Sequence, residues 1–260
     1  IPMNKKTWTA LAASIVVFAA GLFVTLQTRA DAIVKGAAAS ATVPFALGLI
    51  LTLLGLLGAV VSLLPERKST DVRTLTLASI FAALCYVGFT YLRIDIPVGT
   101  EKTAFHLGNV FCVLAALFVG GFWGGMAGAI GMTLADLTTA YVTSAPKTFL
   151  LKLGIGLITG LLAHKVFHIS HEKAERKLPL PAAVVLSCAG GMAFNIVADP
   201  LAGYFYKMYV LGVPQEVATI WAKMGAVTTA VNALVAVVVA SVLYLALRPA
   251  LKRSRLLREI

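Results

Sequence analysis

Charged residues are scarce in this sequence. They make up 13% of its 260 residues, whereas 59% are hydrophobic, and a soluble domain usually carries about 25% charged residues. This deficit excludes an ordinary soluble globular domain. The alternation of apolar and polar residues that a membrane β-barrel requires is also missing. Because a chain in lipid must satisfy its own backbone hydrogen bonds, the long apolar runs predict membrane-spanning helices.

Cysteine is rare as well. The three cysteines, Cys85, Cys112 and Cys188, lie inside apolar runs and show no CxxC spacing. Such cysteines behave as small apolar side chains in helices. The sequence therefore predicts no disulfide and no metal site at these positions.

Motifs of soluble hydrolases are absent too. There is no Walker A sequence, no nucleophile elbow and no HExxH, which excludes ATP or peptide hydrolysis by these motifs and leaves unfamiliar intramembrane chemistry open. His164, His168 and His171 have spacings that share a helix face, but they lie in a basic segment. We expect a solvated loop there rather than a metal site, and the sequence predicts no cofactor.

The apolar runs predict an all-α, polytopic bundle of about eight transmembrane helices. A cluster of glycines at 120–125 is expected to divide one long apolar run into two spans. The first apolar run resembles a signal peptide, but we expect it to be a retained span, with the native chain starting at Met3. The predicted spans lie at about residues 7–26, 43–64, 75–91, 106–119, 126–140, 148–163, 182–210 and 217–247.

The net charge is +11, which on a soluble protein would suggest nucleic acid. Here the lysines and arginines concentrate in short links and at the chain ends. Because cytoplasmic loops of membrane proteins are enriched in these residues, we expect both termini to be cytoplasmic and no nucleic-acid partner.

A charged stretch at 65–73 divides the chain. Residues 1–64 are expected to form an accessory pair of transmembrane helices, residues 74–247 a six-helix unit, and residues 248–260 a basic cytoplasmic tail. Nearly all polar residues within the spans belong to the six-helix unit, so function is expected there.

Polar groups inside a membrane are costly, and their presence usually marks function. In the predicted topology they approach the outer half of the bilayer and indicate a pocket open to the outside. Structural alternatives stay open: an Asp136–Lys152 ion pair, asparagines that join helices by hydrogen bonds, and lysines, Lys207 among them, that reach toward the interface. The polar residues concerned are Asp136, Lys152, Asn195, Asp199, Lys223 and Asn232.

Small residues recur at a spacing of four, at Gly120, Gly124 and Gly128 and again at Gly156 and Gly160. Such rows let helices approach closely, and we expect them to pack within the molecule.

Residues 106–165 carry a more specific pattern. It begins with His-Leu-Gly-Asn at 106–109, continues with Gly-x-x-x-x-Asp-Leu at 131–137, and ends with Pro-x-Thr-Phe-x-x-Lys at 146–152. In order and spacing this stretch resembles the S component of energy-coupling factor (ECF) transporters, most closely the riboflavin-transporter-like branch.

The resemblance implies a six-helix module that captures a vitamin-like molecule from outside a prokaryotic plasma membrane. It also implies docking on a membrane scaffold subunit with two cytoplasmic ATPases, through an Ala-x-x-x-Ala pair that matches Ala78 and Ala82 here. Riboflavin, pyridoxine-like and hydroxymethylpyrimidine-like compounds are the candidate ligands. The residues expected to bind the ligand are Asn109, Asp136, Tyr141, Lys152, Asn195, Asp199, Lys223 and Asn232. The aromatic residues expected to stack on it or close over it are Phe105, Tyr141, Tyr204 and Trp221.

Two other functions stay open at this point. One is an intramembrane enzyme that acts on a lipid or prenyl substrate, and the other is a self-sufficient secondary transporter. The helix pair at 1–64 is additional to the six helices of an S component.

Overall fold

The computed structural model describes residues 5–34, 47–48, 51–52, 55, 71–98, 101–170 and 178–254. Most of the predicted second span, most of the charged stretch 65–73, His171 and the end of the basic tail lie outside the described residues.

Helices dominate the described part of the chain, as the sequence predicts. The elements are α1 (Lys5–Val34), α2 (Val72–Thr90), β1 (Arg93–Val98), β2 (Glu101–His106), α3 (Gly108–Val119), α4 (Gly121–Leu137), α5 (Ala145–Gly160), α6 (Leu180–Phe205) and α7 (Gln215–Arg253). A 3-10 turn (Val142–Ser144) precedes α5, and π-helical turns follow α5 (Leu161–Val166) and α6 (Tyr206–Val210).

Four helical segments of the described residues are long and apolar enough to cross a membrane: Val72–Thr90, Val142–Val166, Leu180–Val210 and Gln215–Arg253. The multi-pass helical architecture is confirmed, whereas a count of eight spans is not. Helix α3 is too short to meet this criterion: its 12 residues rise about 18 Å, against about 30 Å of bilayer hydrocarbon. Every residue of α3 except Phe111 is buried, so this helix is apolar on all sides because protein surrounds it.

The predicted break in the long apolar run is confirmed, and it lies at Gly120. This residue has a φ of 86°, a backbone conformation that glycine adopts without the steric cost of a Cβ. The helix resumes at Gly121, so the rest of the glycine cluster is helical rather than a turn.

The glycines of α4 bring two neighbours close. On one side Gly121 and Gly125 face Gly160 and Gly156 of α5, where an added Cβ would overlap backbone atoms of the facing glycine. On the other side Gly124 lies against Ala116 of α3. The small-residue rows therefore pack helices within the molecule, as predicted.

The link after α2 is a β-hairpin, which the sequence interpretation described only as a loop. Strand β1 pairs antiparallel with β2, from Arg93 opposite His106 to Val98 opposite Glu101. The hairpin lies at the end of the bundle where α2 and α4 end and where α5 and α7 begin, here called the hairpin end.

The expectation of a solvated loop is wrong for His164. Its side chain is buried, with Nδ1 2.7 Å from Ser170 Oγ and Nε2 3.0 Å from the carbonyl oxygen of Ala116. The helix continues past Gly160 as a π-helical turn, which carries His164 into the core against α3. Among the described residues no cluster of potential metal ligands occurs.

Candidate functional site

A polar cavity of about 150 Å³ lies at the hairpin end. The hairpin, α2 and the five helices that follow all contribute to its wall. All but one of the predicted binding residues line it: Asn109, Asp136, Tyr141, Lys152, Asn195, Asp199 and Asn232.

Lys223 is the exception. Its side chain is exposed on α7, outside the cavity wall. Lys207, which the sequence interpretation left as an interfacial lysine, lies on the wall instead, with Nζ 4.1 Å from the centre of the Trp221 ring. The helix rotation decides which lysine faces inward, and spacing along the sequence does not reveal it.

Replacing Lys223 with alanine is therefore expected to change ligand affinity by less than twofold, since the exposed side chain does not line the cavity. Titration of the purified variant beside Asn195→Ala, which removes a side chain from the wall, checks this. A loss of affinity in Lys223→Ala equal to that in Asn195→Ala would contradict the placement.

The ion pair on the cavity wall is not the expected one. Lys147 Nζ lies 2.6 Å from Asp199 Oδ1, and the Thr229 hydroxyl donates to Asp199 Oδ2 at 2.8 Å. These contacts join α5, α6 and α7. Asp136 and Lys152 form no ion pair with each other, and Lys147 was missed because it lies at a predicted link.

Several buried polar atoms on the wall lack a hydrogen-bond partner among the described residues. They are His106 Nδ1, Asn109 Oδ1, Asp136 Oδ2 and Asn195 Oδ1. Lys152 is 6% exposed and makes no ion pair in the part of the chain that the structure describes. Because buried polar groups in proteins are normally paired, this convergence indicates a site that a ligand completes.

Asn232 lines the cavity and also makes two hydrogen bonds to the hairpin. Its side-chain amide donates to the carbonyl oxygen of Ala104 at 2.9 Å, and its Oδ1 accepts from the backbone N–H of His106 at 3.0 Å. Both partners belong to β2. Asn232 therefore holds the hairpin against α7, beside the cavity.

Aromatic rings and an ion pair lie where the hairpin meets α2 and the link between α4 and α5. The Phe89 ring lies 4.7 Å from that of His106 and 5.5 Å from that of Tyr141. The Arg93 guanidinium lies over both Phe89 and Tyr141. Asp95 Oδ1 accepts from the Tyr141 hydroxyl at 3.1 Å and lies 3.2 Å from Arg93 Nε. The hairpin is thus tied to the α4–α5 link.

His106 of the hairpin and Tyr141 beside it are both neutral near pH 7. Burial, reinforced by the charge of Lys152, lowers the pKa of His106 to about 3. Burial, together with Asp95, raises the pKa of Tyr141 above its ordinary value. At these two positions the cavity wall therefore contributes uncharged groups that can form hydrogen bonds and stack on a ring.

The predicted aromatic set is only partly on the wall. Tyr141 and Trp221 line the cavity, together with Phe89, which the sequence interpretation missed. Phe105 and Tyr204 do not line it. Phe105 alternates with Ala104 and His106 along β2, so its side chain emerges on the opposite face of the strand from theirs.

Ala78 and Ala82 face the interior of the bundle. Ala78 is buried in the core, and the backbone of Ala82 lies against Gly131 of α4. The exposed face of α2 instead carries Ser79 and Ala83, which are also four residues apart. A spacing of four occurs on both faces of this helix, so the pattern alone could not choose between them.

Comparison with known proteins identifies one family model. The model described as ECF-type riboflavin transporter, S component, matches residues 69–249. No curated protein and no solved structure matches the chain.

Proposed function

Since residues 69–249 are well over half of the 260 residues, the chain belongs to the family of ECF-type riboflavin transporter S components, and we propose that it captures a small water-soluble vitamin or vitamin precursor in the hairpin-end cavity. The family consists of substrate-binding transporter subunits and not of enzymes. This membership decides against an intramembrane enzyme. S components work with ECF scaffold and ATPase modules, which disfavours a self-sufficient transporter.

The observation that carries the proposal is a cluster of buried polar atoms that lack a hydrogen-bond partner in the described part of the chain and lie beside aromatic rings. Such a pocket, apolar in part and with a few placed polar groups, suits a small heterocycle. Phe89, Tyr141 and Trp221 supply ring faces, while Asn109 and Asn195 supply free hydrogen-bonding atoms. Riboflavin, pyridoxine-like and hydroxymethylpyrimidine-like compounds are the candidates.

The proposed orientation places the hairpin end outside and both termini in the cytoplasm of a prokaryotic cell. The basic residues near the end of α7, Arg248, Lys252 and Arg253, then lie on the cytoplasmic side, in keeping with the charge bias of membrane proteins. Residues 1–64 are proposed as an accessory helix pair, 74–247 as the substrate-binding unit and 248–260 as a cytoplasmic tail.

Binding to the purified full chain tests the proposal. Trp221 lines the cavity, so its fluorescence is expected to change when a heterocycle stacks nearby, and native mass spectrometry names the bound mass. Saturable binding of one vitamin or precursor, weakened in Asn195→Ala, is expected. Folded protein that binds no member of the panel would overturn the proposal.

The scaffold subunit is proposed to dock on the exposed face of α2, since Ala78 and Ala82 face inward. Substituting Ala83 with tryptophan is expected to reduce recovery of the scaffold–ATPase complex at least tenfold, because the indole would hold the helices apart. The isolated Ala83→Trp chain should keep a ligand affinity within twofold of the wild-type value.

The matched comparison is Ala82→Trp, which inserts the same ring between α2 and α4 and is expected to destabilise the chain itself. Assembly is measured by co-purification with the scaffold subunit. Normal complex recovery in Ala83→Trp would show that docking uses another surface.

A further inference from the structure

We propose that the captured ligand is an anion, with a carboxylate or phosphate group bound by Lys152. This inference rests on the proposed function of the cavity and narrows the chemical class of its ligand. The inference follows from three observations. The described cavity wall holds more lysines than aspartates, Lys152 forms no ion pair among the described residues, and buried polar atoms on the same wall lack hydrogen-bond partners there.

The charges on the cavity wall do not balance. Among the described residues, four lysines line it, Lys102, Lys147, Lys152 and Lys207, against two aspartates, Asp136 and Asp199. Lys147 and Asp199 form an ion pair and neutralise one another. The described part of the wall thus holds more lysines than aspartates, which favours a negatively charged ligand.

Lys152 is the buried member of this excess. Lys102 is exposed on the hairpin, and Lys207 lies over the Trp221 ring. Lys152 is 6% exposed, and no carboxylate of the described residues lies within ion-pairing distance of its ammonium. A buried charge without a partner is costly to a fold. An anionic group bound in the cavity would supply the missing partner.

Asp136 does not meet this need. It lines the same cavity and is buried, yet its Oδ2 has no hydrogen-bond partner among the described residues and it forms no ion pair with Lys152. A carboxyl group and an ammonium group that line one cavity without pairing are suited to a ligand that lies between them. Such a ligand presents its anion to Lys152 and an N–H or O–H donor to Asp136.

The neutral groups add to this pattern. Asn109 Oδ1 and Asn195 Oδ1 are buried acceptors without a donor among the described residues, so N–H or O–H groups on the ligand would pair with them too. With Phe89, Tyr141 and Trp221 beside them, the class that fits is a flat heterocycle that carries amino or hydroxyl donors and one anionic substituent.

Matched ligand pairs test the inference in the full chain. Each pair shares a ring and differs in charge: pyridoxine and 4-pyridoxate, hydroxymethylpyrimidine and its 5-carboxylate, riboflavin and its 5′-phosphate, nicotinamide and nicotinate. The anionic member of at least one pair is expected to bind at least tenfold more tightly than its neutral partner. Affinity is measured by native mass spectrometry and Trp221 fluorescence.

The decisive variant is Lys152→Met, which keeps length and flexibility and removes the charge. It should weaken binding of the anion at least tenfold more than binding of its neutral partner, so that the preference for the anion is abolished. Because it removes a buried charge that has no ion pair among the described residues, its ligand-free form should melt no lower than the wild type. The control Lys165→Met alters an exposed lysine at the opposite end of the bundle. It should change neither the preference for the anion nor the melting temperature.

Three outcomes separate this inference from the proposed function. An anionic preference that Lys152→Met abolishes supports the inference. Binding in which no pair favours its anionic member, or an anionic preference that survives in Lys152→Met, overturns it while capture of a heterocycle stands. A folded wild-type chain that binds no member of any pair overturns the proposed function and the inference together.

Discussion

Replacing Asn232 with leucine is expected to weaken ligand binding on the order of 100-fold. Leucine has a similar size but can make neither of the two hydrogen bonds that join α7 to β2. Each lost buried bond leaves a backbone group unsatisfied at a cost of about 1–3 kcal/mol, and about 1.4 kcal/mol corresponds to a factor of ten in affinity. The hairpin that covers the cavity would detach before the helical bundle is affected.

Hydrogen exchange of the hairpin amides, measured beside ligand affinity, checks this result. Residues 93–106 should lose protection in Asn232→Leu, while helical amides keep theirs. Asn232→Asp, which retains an acceptor for His106 N–H but cannot donate to Ala104, should give an intermediate loss. Thr219→Val, which removes a hydroxyl bonded within α7, should behave as wild type. Unchanged protection in Asn232→Leu would refute the role of this residue as the tie between hairpin and helix.

Substituting Gly156 with alanine is expected to destabilise the chain by about 3 kcal/mol, near the upper end of overpacking penalties. An added Cβ would overlap backbone atoms of Gly125 on α4, and a backbone cannot rotate away as a side chain can. Helices α4 and α5 would have to separate, and the polar groups that both contribute to the cavity would move with them.

The chain offers its own matched control for this substitution. At Gly225, on α7, an added Cβ meets no atom within 4 Å, so alanine there should leave stability unchanged or raise it by about 0.5–1 kcal/mol, since it restricts the backbone of the unfolded chain. Thermal melts or denaturant titrations in detergent compare the two variants. Equal stability of both would show that α4 and α5 do not depend on the close approach.

Much of the candidate site could be predicted from sequence because charge in an apolar run is informative. Asp136, Lys152 and Asp199 stand out where apolar residues surround them, and the four-residue step from Asn195 to Asp199 places both on one helix face. All of them line one cavity. Such residues can be identified without knowledge of the fold, because polar groups are costly inside a membrane and usually mark function there.

Helix rotation and non-helical backbone could not be predicted in this way. The inward direction of Ala82 and the outward direction of Lys223 depend on the tilt and rotation of each helix, which packing decides. The hairpin was missed because its short strands carry polar and apolar residues in a pattern that a loop also shows. Lys147 appeared to belong to a link, and only the approach of α6 reveals its pairing with Asp199.

Lys152, which is buried and forms no ion pair within the part of the chain that the structure describes, has an electrical consequence for the proposed anion. Moving one elementary charge across a membrane takes about 2.3 kcal/mol per 100 mV, so an anion entering a cell with a negative interior moves against the field. Under the proposal that Lys152 binds an anion, the bound pair is electrically neutral. Inward transfer of that pair would avoid this work for whatever part of the field the pair crosses.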